Sequence, residues 1–132
     1  MFTYAAKLIE VIDGDTVDLL IDLGFGVHVK ERCRLYGIDA PEIETDAGKA
    51  AKAYLGSLLG ASIELFVATR KMTRKPKEKT DKYGRYLAVL YDGGNTFSWH
   101  IRNDQDESSV AMMQSSINLR MVEAGHAKER YW

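Results

Sequence analysis

Charged side chains suited to phosphodiester chemistry occur in three separated segments of the chain. These side chains are Asp15 in the first segment, Arg34, Asp39 and Glu42 in the second, and Arg85 in the third. Two aspartates can hold a hard cation such as calcium, and a glutamate can act on water. Two guanidiniums can bind a phosphate from opposite sides. The combination is what a metal-dependent phosphodiesterase requires.

Taken singly, each residue also has an ordinary structural explanation. Asp15 follows a glycine, and an aspartate in that setting commonly forms a turn. Glu42 lies in a stretch that reads as a loop, where a solvated glutamate needs no partner. Arg32 and Arg34 have the same parity on an alternating strand, so one of the two can be a surface residue only. The choice depends on the elements that position these residues.

Length and composition fit one domain, residues 1–132, of an ordinary globular protein. The chain has 132 residues, 45% of them hydrophobic and 28% charged. No apolar run is long enough to span a bilayer, and no basic region followed by an apolar stretch marks a secretory signal. We expect no membrane partner, and a cytoplasmic protein or a secreted one whose leader has been removed. Cys33 is the single cysteine, which excludes an internal disulfide and favours a small hydrophobe packed on a strand.

The net charge of −1 is unevenly distributed. Residues 70–85 hold eight of the 18 Lys and Arg together with two acidic residues, which leaves ten basic and seventeen acidic residues elsewhere. A basic segment on an acidic body suits contact with a polyanion, and it is also typical of a solvated surface loop. Because the segment ends at Lys82, Tyr83 and Arg85, contact with a polyanion is favoured.

Hydrophobic alternation predicts five short strands, and the first three form a meander joined by the turns Asp13-Gly14 and Gly24-Phe25-Gly26. The predicted strands are 4–12, 17–23, 27–36, 62–68 and 86–91. A loop at 37–44 leads into a helix whose apolar residues recur at helical spacing. Five strands with a helix between the third and the fourth are the OB-fold pattern, a mainly β, five-stranded Greek-key barrel with helices.

The helix ends are marked by capping residues and glycines. The first helix is predicted to begin at Thr45 or Asp46 and to stop near Gly60. A second helix is predicted from about Ile117 to Ala124, with Ser116 or Asn118 as its cap and Gly125 as its stop.

At the three charged segments the sequence closely resembles the staphylococcal nuclease (thermonuclease) family, and the resemblance extends from about Lys7 to Tyr131. It implies an SNase-like OB-fold nuclease. The polar segment at about 96–116 departs from the family and looks like an insertion between the fifth strand and the second helix. The resemblance implies that Asp15 and Asp39 are the metal-binding aspartates. Ala40 stands where the family often has threonine, a position that gives a backbone carbonyl oxygen to calcium, and alanine keeps that oxygen.

The resemblance also implies roles for the remaining charged residues. Arg34 and Arg85 would bind the phosphate, and Glu42 would be the catalytic glutamate. Three further residues match positions that line the nucleotide site of the family: Lys82, Tyr83 and Tyr131.

We therefore expect a monomer that hydrolyses phosphodiester bonds in DNA, RNA or both, with calcium as cofactor and little sequence preference. The resemblance implies attack by water and 3′-phosphate products. The main alternative is a catalytically silent OB-fold module that binds nucleic acid or protein. A nuclease domain that serves a larger assembly is a further alternative. A silent module is expected to have lost part of the charged set, and since all five positions are filled, the enzyme is favoured.

Overall fold

The structure, a computed structural model, describes four stretches of the chain. These stretches are residues 2–60, 65–69, 86–92 and 116–130. The expected insertion at about 96–116 lies outside them except for its last residue, and so does the start of the fourth predicted strand, 62–64. The fold is therefore described from the remaining elements.

The first three strands form an antiparallel meander, as their alternation predicts. β1 spans Phe2–Asp13, β2 spans Thr16–Gly24 and β3 spans Val27–Leu35. One face of the meander lines the barrel interior and the other carries polar side chains. The inward residues of β2 and β3 are Val17, Leu19, Ile21, Cys33 and Leu35. Cys33 is thus a packed hydrophobe on a strand, as expected.

Two further strands close the barrel. β5 spans Leu65–Thr69 and pairs with β1, and β6 spans Tyr86–Asp92 and pairs with β5. β6 also runs parallel to β3, where Tyr86–Ala88 lies beside Cys33–Leu35. Because the order β1-β2-β3-β6-β5 returns on itself, the sheet closes into a barrel. The prediction of a mainly β, five-stranded barrel of the OB-fold type is confirmed.

Two helices within the described stretches pack on the barrel. α1 spans Asp46–Gly60, and Thr45 caps it, because the Gly48 N–H donates to Thr45 Oγ1 at 2.9 Å. α2 spans Ile117–Glu123, with Ser116 as its cap. Neither described helix is long and apolar enough to cross a membrane. The helix residues buried in the barrel core include Ala51, Leu55, Leu59, Ile117 and Met121.

Asn118, the other predicted cap candidate, is a buried link between α2 and the barrel. Its Oδ1 accepts from the Leu90 N–H at 3.0 Å, and its Nδ2 donates to the carbonyl oxygens of Tyr36 at 2.8 Å and Ala88 at 3.1 Å. The pairing of β6 with β3 ends at Ala88. Among the described residues no strand pairs with β6 on that side beyond Ala88, and the amide there bonds the backbone as a neighbouring strand would.

A second, two-stranded sheet lies beside the end of β3. It consists of β4, Ile38–Asp39, and β7, Lys128–Glu129, in antiparallel pairing. The interpretation of 37–44 as a continuous loop is therefore wrong at residues 38 and 39. Two-residue strands have no alternation that a sequence pattern can detect, and their pairing joins segments far apart in the chain. The sheet places the C-terminal part of the chain beside Asp39.

Candidate active site

Asp15 lies in a tight turn at the start of β2. Its N–H donates to Asp13 Oδ1 at 3.0 Å, a local bond that favours aspartate in turns. The turn fits because residue 14 is glycine: a Cβ there would lie 2.7 Å from the Cβ atoms of both Ala40 and Ala51. This close approach leaves Asp15 only 7% exposed. A carboxylate is thereby placed between β2 and the segment that follows β4.

Two arginines on the same face of β3 have different surroundings. Arg32 bonds to both oxygens of Asp18, at 2.8 and 3.0 Å, and its side chain is 52% exposed. The Arg34 side chain is 9% exposed. Its Nη1 lies 3.2 Å from Asp15 Oδ2, and its Nη2 donates to Asp39 Oδ1 at 3.2 Å. Arg32 is therefore the surface residue, and the guanidinium of Arg34 bridges two carboxylates.

The segment around β4 places Asp39 and Ala40 against Asp15. The Ala40 N–H donates to Asp15 Oδ2 at 2.8 Å. The second oxygen of Asp39, Oδ2, accepts from Arg130 Nη1 at 3.3 Å. The Asp39 side chain is 44% exposed, whereas Asp15 is buried. The pair therefore has an inner carboxylate and an outer one that solvent can reach.

The buried carboxyl of Asp15 is only partly compensated by its neighbours. Burial raises its pKa to about 6, and hydrogen bonding with the Asp13 carboxyl adds to the rise. The positive charge of Arg34 and the Ala40 N–H oppose it. Additional positive charge close to Asp15 would stabilise its ionised form.

The backbone of Glu42 is held by the N-terminus of α1. Its carbonyl oxygen accepts from the Thr45 N–H at 3.0 Å and from Thr45 Oγ1 at 2.7 Å. A Cβ on Gly48 would overlap that carbonyl oxygen, so the helix backbone packs directly on the Glu42 peptide. The Glu42 side chain is exposed. The helix therefore fixes the backbone position of Glu42, while the Glu42 carboxylate remains accessible to water.

Asp15, Asp39 and Ala40 offer the kind of oxygen atoms that calcium binds. Within the four described stretches, no three His, Cys, Asp or Glu side chains come together as a metal-binding group. The ligands that the family resemblance implies here are two carboxylates and the Ala40 carbonyl, and water would complete the six to eight oxygens that calcium takes. A guanidinium already bonded to both carboxylates marks the position as one that attracts positive charge. The residues present fit a hard cation rather than a soft one.

Four of the predicted site residues lie outside the described stretches. They are Lys82, Tyr83, Arg85 and Tyr131. The structure brings Asp15, Arg34, Asp39 and Ala40 together and places Glu42 two residues beyond Ala40.

Arg130 is a residue of this region that sequence reasoning missed. It reaches Asp39 only because β7 pairs with β4. Its position next to Tyr131, which the family resemblance had singled out, is the one signal in the sequence that pointed to it.

The structure is a closed five-stranded barrel of the OB-fold type in which an arginine at the end of β3 bridges two aspartates, one just before β2 and one in β4. The family model described as Staphylococcal nuclease homologue matches residues 32–132. The chain belongs to this family. Membership in a family of nuclease homologues indicates an interaction with nucleic acid. The match includes Arg34, Asp39 and Glu42, whereas Asp15 precedes it.

A relative in Escherichia coli, Protein ParB, is 31% identical to this chain over 85 residues. The alignment covers 64% of this chain and 40% of Protein ParB. The chain therefore spans well under half the length of that relative. The similarity supports a related domain and carries no conclusion about the whole of Protein ParB.

Proposed function

We propose that this chain hydrolyses phosphodiester bonds in DNA, RNA or both, with calcium as its cofactor. The observation that carries the proposal is the guanidinium of Arg34, which bonds to Asp15 and Asp39 together in a member of the staphylococcal nuclease family. Such a cluster combines carboxylates for a hard cation with an arginine for a phosphate.

The cation would be held by the carboxylates of Asp15 and Asp39 and by the carbonyl oxygen of Ala40. When bound, calcium supplies positive charge that polarises a phosphoryl oxygen. Arg34, whose donors lie at both carboxylates, would bind a phosphate oxygen at this position. The ion pairs of Arg34 would thus position its guanidinium beside the reacting phosphate.

The remaining steps fall to Glu42 and the arginines. Glu42, accessible to water and fixed at its backbone, would orient or deprotonate the water that attacks phosphorus in line with the leaving oxygen. Arg34 and Arg85 would stabilise the charge that develops on the phosphoryl oxygens. By family resemblance the bond to the 5′ oxygen breaks and the product is a 3′-phosphate.

The basic segment 70–85 would bind the nucleic-acid backbone. Contacts with phosphates give affinity without reading bases, which accounts for low sequence preference. Lys82, Tyr83 and Tyr131 would line the nucleotide site, where an aromatic ring can stack on a base.

A catalytically silent binding module is the second candidate. Both oxygens of Asp39 are already bonded to arginines, Arg34 at one and Arg130 at the other. Ion pairs of this kind can serve structure alone. This candidate predicts that nucleic acid is bound and left intact.

The two candidates separate in a cleavage assay with single- and double-stranded DNA and RNA, each with calcium or with excess chelator. We expect cleavage with calcium and none with chelator, and zinc should not replace calcium well because the proposed ligands are all oxygens. Full activity in chelator would contradict the calcium assignment. Binding without cleavage under every condition would favour the silent module.

A matched pair of variants tests the place of the reaction. Arg34→Gln and Arg32→Gln each remove one ion-paired guanidinium from the same face of β3. We expect Arg34→Gln to lose turnover steeply and Arg32→Gln to retain it, with far-ultraviolet circular dichroism confirming that both are folded. Equal activity of the two variants would remove Arg34 from the proposed site.

A further inference from the structure

Asp39 is bonded by a guanidinium at each of its two oxygens. Oδ1 accepts from Arg34 Nη2 at 3.2 Å, and Oδ2 accepts from Arg130 Nη1 at 3.3 Å. Arg34 is a buried side chain of the barrel, whereas the side chain of Arg130 is 62% exposed. The outer carboxylate of the aspartate pair therefore has an arginine on its solvent side that comes from the C-terminal segment.

Backbone hydrogen bonds join the segments that carry Arg130 and Asp39. The Arg130 N–H donates to the Gly37 carbonyl oxygen at 2.8 Å. The pairing of Ile38 with Glu129 and of Asp39 with Lys128 adds further connections between β4 and β7. Because these backbone contacts do not depend on the guanidinium, replacing the Arg130 side chain should leave Asp39 where it is. What the side chain adds at Asp39 is a positive charge and one hydrogen bond.

We propose that Arg130 is a built-in counter-ion of Asp39 that lowers the affinity of the free protein for calcium. This inference rests on the proposed cation site at Asp15 and Asp39. A divalent cation on Asp39 lies close to Arg130 and is repelled by it, and the ion pair must weaken when the cation arrives. Because Arg130 is exposed, solvent and salt reduce both effects. Removing its charge should tighten calcium binding by about three- to tenfold at low ionic strength.

The test is a calcium titration by isothermal titration calorimetry on the full chain, without nucleic acid. Arg130→Gln removes the charge, and Arg130→Lys keeps it. Arg120→Gln is the matched control, because Arg120 is also an exposed arginine paired with a carboxylate, Asp92, at 3.2 Å. Asp39→Asn reports whether the calcium that is measured binds at the proposed site.

We expect tighter binding in Arg130→Gln, a gain that shrinks as salt is raised, and affinities within about twofold of the wild type in Arg130→Lys and Arg120→Gln. Unchanged binding in Arg130→Gln, with Asp39→Asn still abolishing it, would overturn the counter-ion while leaving the cation site in place. Weaker binding in Arg130→Gln would overturn it as well, because Arg130 would then be holding Asp39 in its binding position. A wild-type chain that takes up no calcium, or an Asp39→Asn chain that binds as the wild type does, would overturn the cation site and this inference together.

Discussion

Replacing Asn118 with leucine removes a buried amide whose hydrogen bonds join α2 to the barrel. The Leu90 N–H loses the acceptor that it reaches at 3.0 Å, and the Tyr36 carbonyl loses a donor at 2.8 Å. The Ala88 carbonyl loses its bond at 3.1 Å but keeps the Tyr36 N–H, which donates to it at 2.8 Å. The substitution therefore affects mainly two backbone groups, the Leu90 N–H and the Tyr36 carbonyl.

Each buried polar group left without a partner costs about 1–3 kcal/mol. Leucine returns roughly 0.5 kcal/mol through its better helix propensity. With two such groups we therefore expect Asn118→Leu to lower the free energy of unfolding by about 1.5–5.5 kcal/mol, a large part of the 5–15 kcal/mol or so typical of a domain.

Urea unfolding followed by far-ultraviolet circular dichroism measures this loss. Glu123→Leu is the control, since Glu123 is exposed on the same helix and its replacement should change stability by no more than about 0.5 kcal/mol. A loss below about 1 kcal/mol in Asn118→Leu would refute the reasoning, because the barrel and α2 would then adjust to satisfy the freed groups without the amide.

Three further predictions concern single residues. Glu42→Gln should reduce turnover in a cleavage assay by at least roughly 10²-fold with folding intact. Glu44→Gln, which changes an exposed glutamate two residues further on, should not reduce it. Equal turnover in the two variants would mean that Glu42 is only a solvated loop residue. Gly48→Ala should lower both the activity and, by about 1–3 kcal/mol, the free energy of unfolding. The reason is that the new Cβ overlaps the backbone carbonyl of Glu42, which cannot move aside as a flexible side chain would. A variant with the melting temperature and activity of the wild type would disprove the packing argument. Burial raises the pKa of the Cys33 thiol to about 12, so the thiol stays protonated at pH 8 in the folded protein. It should therefore react with a thiol reagent at least about 100-fold more slowly in the folded protein than in urea. Rapid labelling of the folded chain would contradict this prediction and show that β3 opens readily.

Local patterns in the sequence determined the long strands of the meander and the two described helices. Alternation along Val17, Leu19 and Ile21 predicts a strand with one buried face, because successive side chains point to opposite sides of a sheet. Apolar residues at helical spacing predict α1, and Thr45 at its start supplies the cap. These signals act between neighbours in the chain, so the sequence alone reveals them. The family resemblance then indicated which charged residues belong to one site. No rule of spacing along the chain could have grouped them.

The tertiary structure decided which of these residues lie together. Arg32 and Arg34 are indistinguishable by parity, and only the approach of Asp15 and Asp39 separates a buried bridge from a surface ion pair. Arg130 lies 91 residues from Asp39 in the chain and meets it through β4 and β7, each two residues long. Contacts of this kind depend on how distant backbone segments pair, and a pair of two-residue strands has too few side chains to leave a periodic pattern in the sequence.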